Sequence, residues 1–149
     1  MLPVARGNAA EAAILAAFVK RGYLALVPFG DGQPYDVGVD LVGPLLRVQC
    51  KRAWSDRGCV VFNTHSTDHG NGRQSYVGRA DLLGVYFPPL DAVYLVPIGA
   101  IRSVSGRLRL EPTRNNQRRG IRMAADYEID CWTPERLAAL APAGAPAAA

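Results

Sequence analysis

The chain has 149 residues, 49% of them hydrophobic, which is enough for one globular domain with a substantial core and too short for two. Its net charge of +4 at pH 7 is modest, and no run of about 18 apolar residues could span a bilayer. No basic-then-apolar signal peptide opens the chain, so we expect a cytoplasmic protein with no membrane partner.

A helix is predicted near the start of the chain, over residues 9–21. Alanine is abundant there, Asn8 is a suitable N-cap, and Gly22 follows as a stop. Residues 24–29 (LALVPF) are predicted to form a buried strand, which a polar loop follows.

Two neighbouring strands are predicted next, at residues 36–42 (DVGVDLV) and 45–51 (LLRVQCK). Gly43 can supply the positive φ that a type II′ turn requires, so the two strands are expected to form a hairpin with a two-residue turn. Residues 59–63 (CVVFN) are predicted to be a third strand beside this pair.

Residues 64–78 (THSTDHGNGRQSYVG) are predicted to form a long exposed loop. They are polar, rich in glycine and without periodicity. Loops of this length inside a compact protein are more often functional than idle.

The second half of the chain alternates short strands with turns. Residues 82–87 (LLGVYF) and 92–98 (AVYLVPI) are predicted strands around a proline-containing turn, and residues 107–110 (RLRL) are a short strand. Residues 133–140 (TPERLAAL) are predicted to form a helix that opens with a threonine cap and a proline.

These elements predict an α/β fold in which a mixed β-sheet is flanked by helices. Residues 1–141 are expected to be one domain. Residues 142–149 are a low-complexity Ala/Pro tail, expected to be frayed.

Zinc-binding patterns are weak in this sequence. Cys50, Cys59 and Cys131 lack paired spacing, so we expect small core residues rather than a disulfide framework or a structural zinc site. His65 and His69 could suggest a zinc pair or an HNH-type nuclease, but no cysteine pair or H-E-x-x-H motif accompanies them.

Arginine is concentrated between residues 102 and 122, where seven arginines and one acid give a local charge of +6. Fifteen of the 17 basic residues in the chain are arginine, whose planar guanidinium suits phosphate oxygens and guanine edges. This distribution is typical of a nucleic-acid-binding surface, although charge alone is equally consistent with a solvated, solubilising face.

Side chains able to read bases lie in the polar loop and in the arginine-rich segment. Arg, Asn and Gln can make bidentate contacts to guanine and adenine, whereas contacts to phosphate alone carry no sequence information. For each residue the alternative is a solvated loop side chain. The candidates are His65, Arg73, Gln74, Tyr76, Arg114, Asn115, Asn116, Gln117, Arg118 and Arg119.

The predicted hairpin brings three polar side chains together. A two-residue turn places Asp36 opposite Lys51 and leaves a glycine, Gly38, opposite Gln49. Asp36, Gln49 and Lys51 then share one face, about 5–7 Å apart. The same pairing places Asp40 opposite Arg47, which we expect to be a structural salt bridge.

An acid on the first helix is predicted to join them. Glu11 shares a helical stripe with Ile14, Leu15 and Phe18, so its carboxylate is expected on the face that packs against the core. Alternatively, with Asn8 as N-cap, Glu11 lies at the third helical position and completes a capping box.

Two acids, an amide and a lysine near an arginine-rich surface suggest metal-assisted cleavage of phosphodiester bonds. Mg²⁺ prefers carboxylate, carbonyl, water and phosphate oxygens. A bound metal lowers the pKa of its water and neutralises charge that builds at phosphorus. A lysine beside it can hold the attacking water or stabilise that charge.

These residues resemble the PD-(D/E)XK nuclease superfamily. The motifs are Gly7 with Glu11, Tyr35-Asp36, and Gln49-Cys50-Lys51, where Gln stands in place of the usual acid. From Gly7 to about Ile129 the chain is similar to the PD-(D/E)XK homing endonucleases associated with group I introns. The segments that carry this similarity are YDVGVDLVG, LLRVQCKRA, VVFNTHS, DLLGVYFPPLDAVYLVPI and RNNQRRGIRMAADYEI.

The resemblance implies a restriction-endonuclease-like core that cleaves double-stranded DNA with Mg²⁺, or with Mn²⁺ as a substitute. Asp36 and Gln49 would be metal ligands, the Cys50 carbonyl would be available to the ion, Lys51 would be the catalytic lysine, and Glu11 would support the metal. It also implies a homo-oligomer, a tetramer or a dimer, that presents two active sites to two strands.

Two departures from the superfamily pattern concern the site. The proline expected before the first acid is displaced to Pro34, and neutral Gln49 removes one negative charge, which should weaken cation binding unless Glu11 compensates. Two alternatives follow: a catalytically inactive DNA-binding module of the same fold, and a structure-specific repair or junction nuclease. The glycine fingerprints of Rossmann and P-loop proteins do not occur.

Overall fold

The computed structural model describes residues 1–68 and 72–142. Two α-helices and ten strands lie within these ranges, together with short 3₁₀ helices at Pro88–Leu90, Ala124–Tyr127 and Ile129–Cys131. In chain order they are α1 (Pro3–Lys20), β1 (Leu24–Leu26), β2 (Val37–Asp40), β3 (Leu45–Arg52), β4 (Trp54–Asp56), β5 (Cys59–Asn63), β6 (His65–Asp68), β7 (Gly72–Ser75), β8 (Leu82–Phe87), β9 (Ala92–Pro97), β10 (Ser105–Arg109) and α2 (Pro134–Ala138).

The largest sheet has five strands in the order β1-β2-β3-β8-β9. Only β3 and β8 run parallel within it, and the other neighbours are antiparallel. A second sheet has the order β10-β5-β4, and β6 pairs with β7 in a two-stranded hairpin. This mixed sheet with helices against it confirms the predicted α/β fold.

Two apolar clusters cover the two faces of the five-stranded sheet. On one face α1 contributes Ile14 and Phe18, which pack on Leu46 and Val48 of β3. On the other face the second sheet and β8 form a cluster around Phe62. The central strands are therefore buried on both sides, as expected where a parallel pair is covered by other layers.

The first helix begins at Pro3, six residues before the predicted start, and Leu2 occupies the N-cap position without a capping side chain. Proline at the first helical position has no N–H to leave unpaired and a backbone φ that suits a helix. Asn8 therefore lies inside α1, and the predicted capping box for Glu11 is wrong.

The turn between β2 and β3 has the predicted length but lies one residue earlier than predicted. Val37 lies opposite Val48 and Asp40 opposite Leu45, which is a shift of two residues from the expected pairing. The N–H of Leu41 donates to the Pro44 carbonyl at 2.9 Å, so Val42 and Gly43 are the two central residues of the turn, and Gly43 has the predicted positive φ. Because side chains alternate along a strand, a shift of two residues keeps each side chain on its predicted face.

Three other predictions about strands are corrected. Residues 24–29 are not a buried strand, since β1 is a short edge strand with exposed leucines. The strand at 59–63 is present but pairs with β4 and β10, and β8 is the third partner of the hairpin. The predicted loop at 64–78 contains the β6–β7 hairpin. The β5–β10 and β3–β8 pairings join distant segments, which local periodicity does not specify.

The remaining predicted elements agree with the structure in position. The strands β8, β9 and β10 lie within two residues of their predicted bounds, and Thr133 caps α2 by accepting a hydrogen bond from the Arg136 N–H at 3.2 Å. Cys50 and Cys59 are buried as expected, whereas Cys131 is exposed.

Within residues 1–68 and 72–142, no helix combines the length and hydrophobicity that a membrane crossing requires. The predicted tail lies outside the described residues from position 143 onward.

The close approach of α1 to the sheet depends on Gly84 of β8. A Cβ atom there would lie 2.9 Å from Ile14 Cγ2 and 3.1 Å from Val48 Cγ1. We expect Gly84→Ala to lower the free energy of unfolding by about 1–3 kcal/mol, because the helix must move away. Gly7 is the matched control, since nothing lies within 4 Å of its Cβ position in α1.

Chemical denaturation monitored by circular dichroism measures both variants. Gly7→Ala should raise the free energy of unfolding by about 0.5–1 kcal/mol, because alanine favours a helix interior. A Gly84→Ala protein as stable as the wild type would contradict the tight packing of α1 on β8.

Candidate active site

Asp36 lies one residue before β2 and is fixed against the middle of β3. Its N–H donates at 2.9 Å to the carbonyl of Val48, the residue of β3 that also lies opposite Val37. Its side-chain Oδ2 accepts hydrogen bonds from Gln49 Nε2 at 2.7 Å and from the Cys50 N–H at 2.8 Å. The carboxylate is thus oriented by two consecutive residues of β3.

The Cys50 carbonyl lies beyond the last backbone pair of β2 and β3. The Arg47 carbonyl accepts a hydrogen bond from the Asp81 N–H, and the N–H of Ala53, just after β3, donates to the Tyr86 carbonyl. The backbone groups of odd-numbered residues therefore point toward β8. The backbone N–H and carbonyl groups of even-numbered residues point toward β2, and the pairing with β2 ends at Val48. The Cys50 carbonyl therefore faces the open end of that pairing, beside the Asp36 carboxylate.

Glu11 projects from α1 toward the same place. Its side chain is half-buried, and burial raises the pKa of Glu11, with a further contribution from the negative charge of Asp36. Burial also raises the pKa of Asp36, although the Cys50 N–H and the positive charge of Lys51 oppose that rise. Burial disfavours the charged forms of both acids, and their negative charges repel each other. A cation between them would therefore be stabilised.

Both carboxylates lie near the Cys50 side chain as well. Burial raises the pKa of the Cys50 thiol well above its ordinary value, and the charges of Asp36 and Glu11 raise it further. Glu11 and Asp36 are therefore both close enough to Cys50 of β3 for their charges to act on the same thiol.

The Lys51 ammonium lies against the base of the β6–β7 hairpin. Its Nζ donates to the Tyr76 hydroxyl at 2.9 Å and to the His65 carbonyl at 3.3 Å, and it lies 4.8 Å from the centre of the Tyr76 ring. Tyr76 is only 5% exposed. Its contact with the lysine was not predicted, because the two residues are 25 positions apart in the chain and lie in different parts of the fold.

The ion-pair partner of Arg47 differs from the prediction. It forms an ion pair with Asp81 at 2.9 Å, and its backbone N–H also donates to the Asp81 carboxylate at 2.8 Å. The predicted Asp40–Arg47 salt bridge is wrong, because the shifted register places Leu45 opposite Asp40. Asp40 instead accepts a hydrogen bond from the Val42 N–H at 2.8 Å. No local pattern marked Asp81 as the partner.

The arginine-rich candidates lie in an exposed segment after β10. Its turns are closed by the Thr113 hydroxyl, which donates to the Gln117 carbonyl, and by Asn115 Oδ1, which accepts from the Gln117 N–H. Asn116 and Arg118 line a groove of about 460 Å³ beside this segment. The exposed candidates here are Arg114, Asn115, Asn116, Gln117, Arg118 and Arg119.

The candidates on the β6–β7 hairpin differ from one another. Arg73 is exposed, whereas Gln74 is half-buried and accepts a hydrogen bond from Arg79 at 3.1 Å. His65 contacts the Thr64 hydroxyl through Nδ1 at 2.8 Å. His69 of the zinc-pair alternative lies outside the described residues, and the described part of the chain has no group of three or more His, Cys, Asp or Glu placed to hold a metal.

Asp36 precedes β2, Gln49 and Lys51 lie on β3, and Glu11 lies on α1, which packs against the sheet. The PD-(D/E)XK endonuclease family matches residues 1–130. The chain therefore belongs to the PD-(D/E)XK endonuclease family and is an endonuclease, as predicted. Members of this family generally use divalent metal ions.

A solved structure agrees with this assignment of the fold. The chain is similar to a bacterial homing endonuclease, I-Ssp6803I, with a TM-score of 0.71 and 24% sequence identity over 88% of this chain and 91% of that chain. None of the curated proteins matches.

The raised pKa of Glu11 predicts how this residue affects stability. A carboxyl with a raised pKa stays protonated to a higher pH in the folded state than in the unfolded state. Its cost to the free energy of folding is therefore absent below about pH 4 and grows as the pH rises toward the folded-state pKa. We therefore expect Glu11→Gln to raise the Tm slightly at pH 7 in EDTA. The gain should disappear near pH 4.

Thermal unfolding at the two pH values, followed by circular dichroism, measures this difference. Glu111→Gln is the control, because Glu111 is exposed and lies outside the site. A Glu11→Gln protein that is less stable than the wild type at pH 7 would show that the carboxylate is favourably paired in the folded state.

Proposed function

We propose that the protein is a Mg²⁺-dependent, sequence-specific endonuclease that hydrolyses phosphodiester bonds of double-stranded DNA, of the homing type associated with group I introns. The observation that carries this proposal is the Asp36 carboxylate, held at 2.7 Å by Gln49 and at 2.8 Å by the Cys50 N–H. Lys51 lies on the same face of β3 as Gln49, and Glu11 reaches the same place from α1.

The groups around Asp36 fit a divalent cation with hard oxygen ligands. Asp36 and Glu11 supply carboxylates, Cys50 supplies a carbonyl that faces the open end of the β2–β3 pairing, and Gln49 keeps its amide oxygen while its Nε2 donates to Asp36. Mg²⁺ takes such ligands together with waters and substrate phosphate oxygens. Mn²⁺ is expected to substitute, because it prefers the same ligand types.

When bound, the ion would polarise a water and neutralise charge on the reacting phosphate. Lys51 supplies the remaining part of the chemistry. Its ammonium has three N–H donors, and two are directed to Tyr76 and His65. The third can hold the attacking water or a phosphate oxygen. Asp36 and Glu11, whose charged forms are disfavoured by burial, would be stabilised by the cation.

Sequence-specific recognition is assigned to exposed Arg, Asn and Gln side chains. Arg118, Arg119 and Asn116 are exposed in the segment after β10, and Arg73 is exposed on the β6–β7 hairpin. These side chains can make bidentate contacts to guanine or adenine, or ion pairs with phosphates. A homo-oligomer, either a dimer or a tetramer, would present two of these sites to the two strands.

Cleavage of a large pool of duplex DNA, with all new ends sequenced, tests the catalytic assignment. We expect ends that require Mg²⁺, disappear in EDTA and share one long motif. Asp36→Ala and Lys51→Ala should each lower the cleavage rate at least about 100-fold, because each removes a group that stabilises charge at the phosphate. Gln49→Glu should keep cleavage, since it restores the acid of the (D/E)XK motif.

Asp40→Ala is the matched control, because Asp40 lies on β2 and its carboxylate accepts a hydrogen bond from the Val42 N–H in the turn. Tight binding to one sequence without any cutting would favour an inactive DNA-binding module. Preferential cutting of branched DNA would favour a junction nuclease. Wild-type cleavage by Lys51→Ala would contradict the role of the lysine.

The arginine-rich segment makes a separate prediction about DNA binding. Replacing both Arg118 and Arg119 by alanine should reduce the slope of log affinity against log salt by about 0.9 for each phosphate that the protein no longer neutralises. Asn116→Ala should instead weaken binding to one preferred sequence by about 1–3 kcal/mol and relax the preference at one base pair. Fluorescence anisotropy at several salt concentrations measures both.

Arg21→Ala is the control for the removal of a positive charge. Arg21 follows the last turn of α1 and forms an ion pair with Asp130. Arg21 is ten residues after Glu11 in the chain, and therefore about 15 Å from it along the helix axis. An equal change in salt dependence for Arg21→Ala and for the double variant would contradict a specific role of the segment.

A further inference from the structure

The Lys51 ammonium is held by an element outside the sheet that carries the lysine backbone. Its two acceptors are the His65 carbonyl, at the first residue of β6, and the Tyr76 hydroxyl, just after β7. Among the described residues, β6 and β7 pair only with each other. The base of this hairpin therefore determines where the end of the lysine side chain lies.

Tyr76 itself is rigidly placed. Its ring is buried in the apolar cluster that also contains Ala53, Leu83 and Val96. Its carbonyl accepts hydrogen bonds from the N–H groups of Arg79 and Ala80, at 2.8 and 2.9 Å, so a tight turn fixes the backbone. Both the ring and the main chain hold the hydroxyl in place.

The hydroxyl and the ring act on the ammonium together. The hydroxyl accepts a hydrogen bond from Nζ at 2.9 Å, and the ring centre lies 4.8 Å from the same atom. A lysine side chain has a flexible four-carbon stem, so an unheld ammonium would sample many positions. Fixing two of its three N–H donors leaves one donor in one direction.

We propose that Tyr76 is a positioning residue for Lys51 in phosphodiester hydrolysis. Its hydroxyl orients the ammonium so that the remaining N–H faces the reacting phosphate beside Asp36. This inference rests on the proposed function of the site. It gives Tyr76 a role inside the protein, different from the DNA contact predicted from its place in a polar segment.

The ammonium can be observed directly because the chain contains only two lysines, Lys20 and Lys51. In protein labelled with ¹⁵N-lysine and free of DNA and metal, we expect the Lys51 Nζ–H signal to be protected from exchange with water. Exposed Lys20 should show no such protection. Tyr76→Phe removes the hydroxyl and keeps the ring, so the protection of Lys51 should disappear.

Cleavage kinetics test the consequence of this contact. Tyr76→Phe should lower the maximal single-turnover rate about 10-fold or more, since it removes a hydrogen bond to a charged group. The enzyme concentration for half-maximal rate should not change, because the buried Tyr76 side chain acts on Lys51 and not on the substrate in this proposal. Tyr86→Phe is the matched control, since its hydroxyl donates to Asp91 at 3.0 Å and its side chain lines a groove with α1.

Three results would overturn the proposal: an unchanged Lys51 signal in Tyr76→Phe, a wild-type maximal rate in that variant, or an equal loss of rate in Tyr86→Phe. Thermal unfolding establishes that each variant is folded. A wild-type protein that cuts no duplex would instead contradict the proposed function, while the lysine signal would still decide whether Tyr76 holds Lys51.

Discussion

The alternation of side chains along β3 is the constraint on which the rest of the structure depends. Leu46, Val48 and Cys50 face α1 and are buried, so Gln49 and Lys51 must face the opposite side. Hydrophobic burial on one face thereby fixes the position of the polar groups on the other. The strand cannot slip by one residue without burying a lysine under the helix and exposing the apolar core.

The site combines favourable and unfavourable interactions. Asp36 gains two hydrogen bonds from β3, yet burial still raises its pKa, and its charge raises the pKa of Glu11. Without a cation, these acids reduce the stability of the folded protein at neutral pH. Packing of Ile14 and Phe18 on the sheet keeps α1, and hence Glu11, in place against this repulsion.

The sequence predicted the strands of the core but not the pairing between distant segments. The register of β2 with β3 was wrong by two residues, and Asp36 and Gln49 still meet because a shift of two keeps each side chain on its predicted face. The partners of Arg47 and Lys51 were missed, since Asp81 and Tyr76 are 34 and 25 residues away in the chain. Such contacts depend on which sheets pack together, and periodicity within one strand carries no information about that.

Neutral Gln49 is consistent with the electrostatics around Asp36. A carboxylate at this position would stand within about 3 Å of Asp36 and would add like-charge repulsion where burial already disfavours charge. The Gln49 amide instead donates a hydrogen bond to Asp36 and leaves a carbonyl oxygen for other contacts. In the proposed metal site, Gln49 would supply one negative charge fewer but would orient Asp36, and Glu11 would be the second acid.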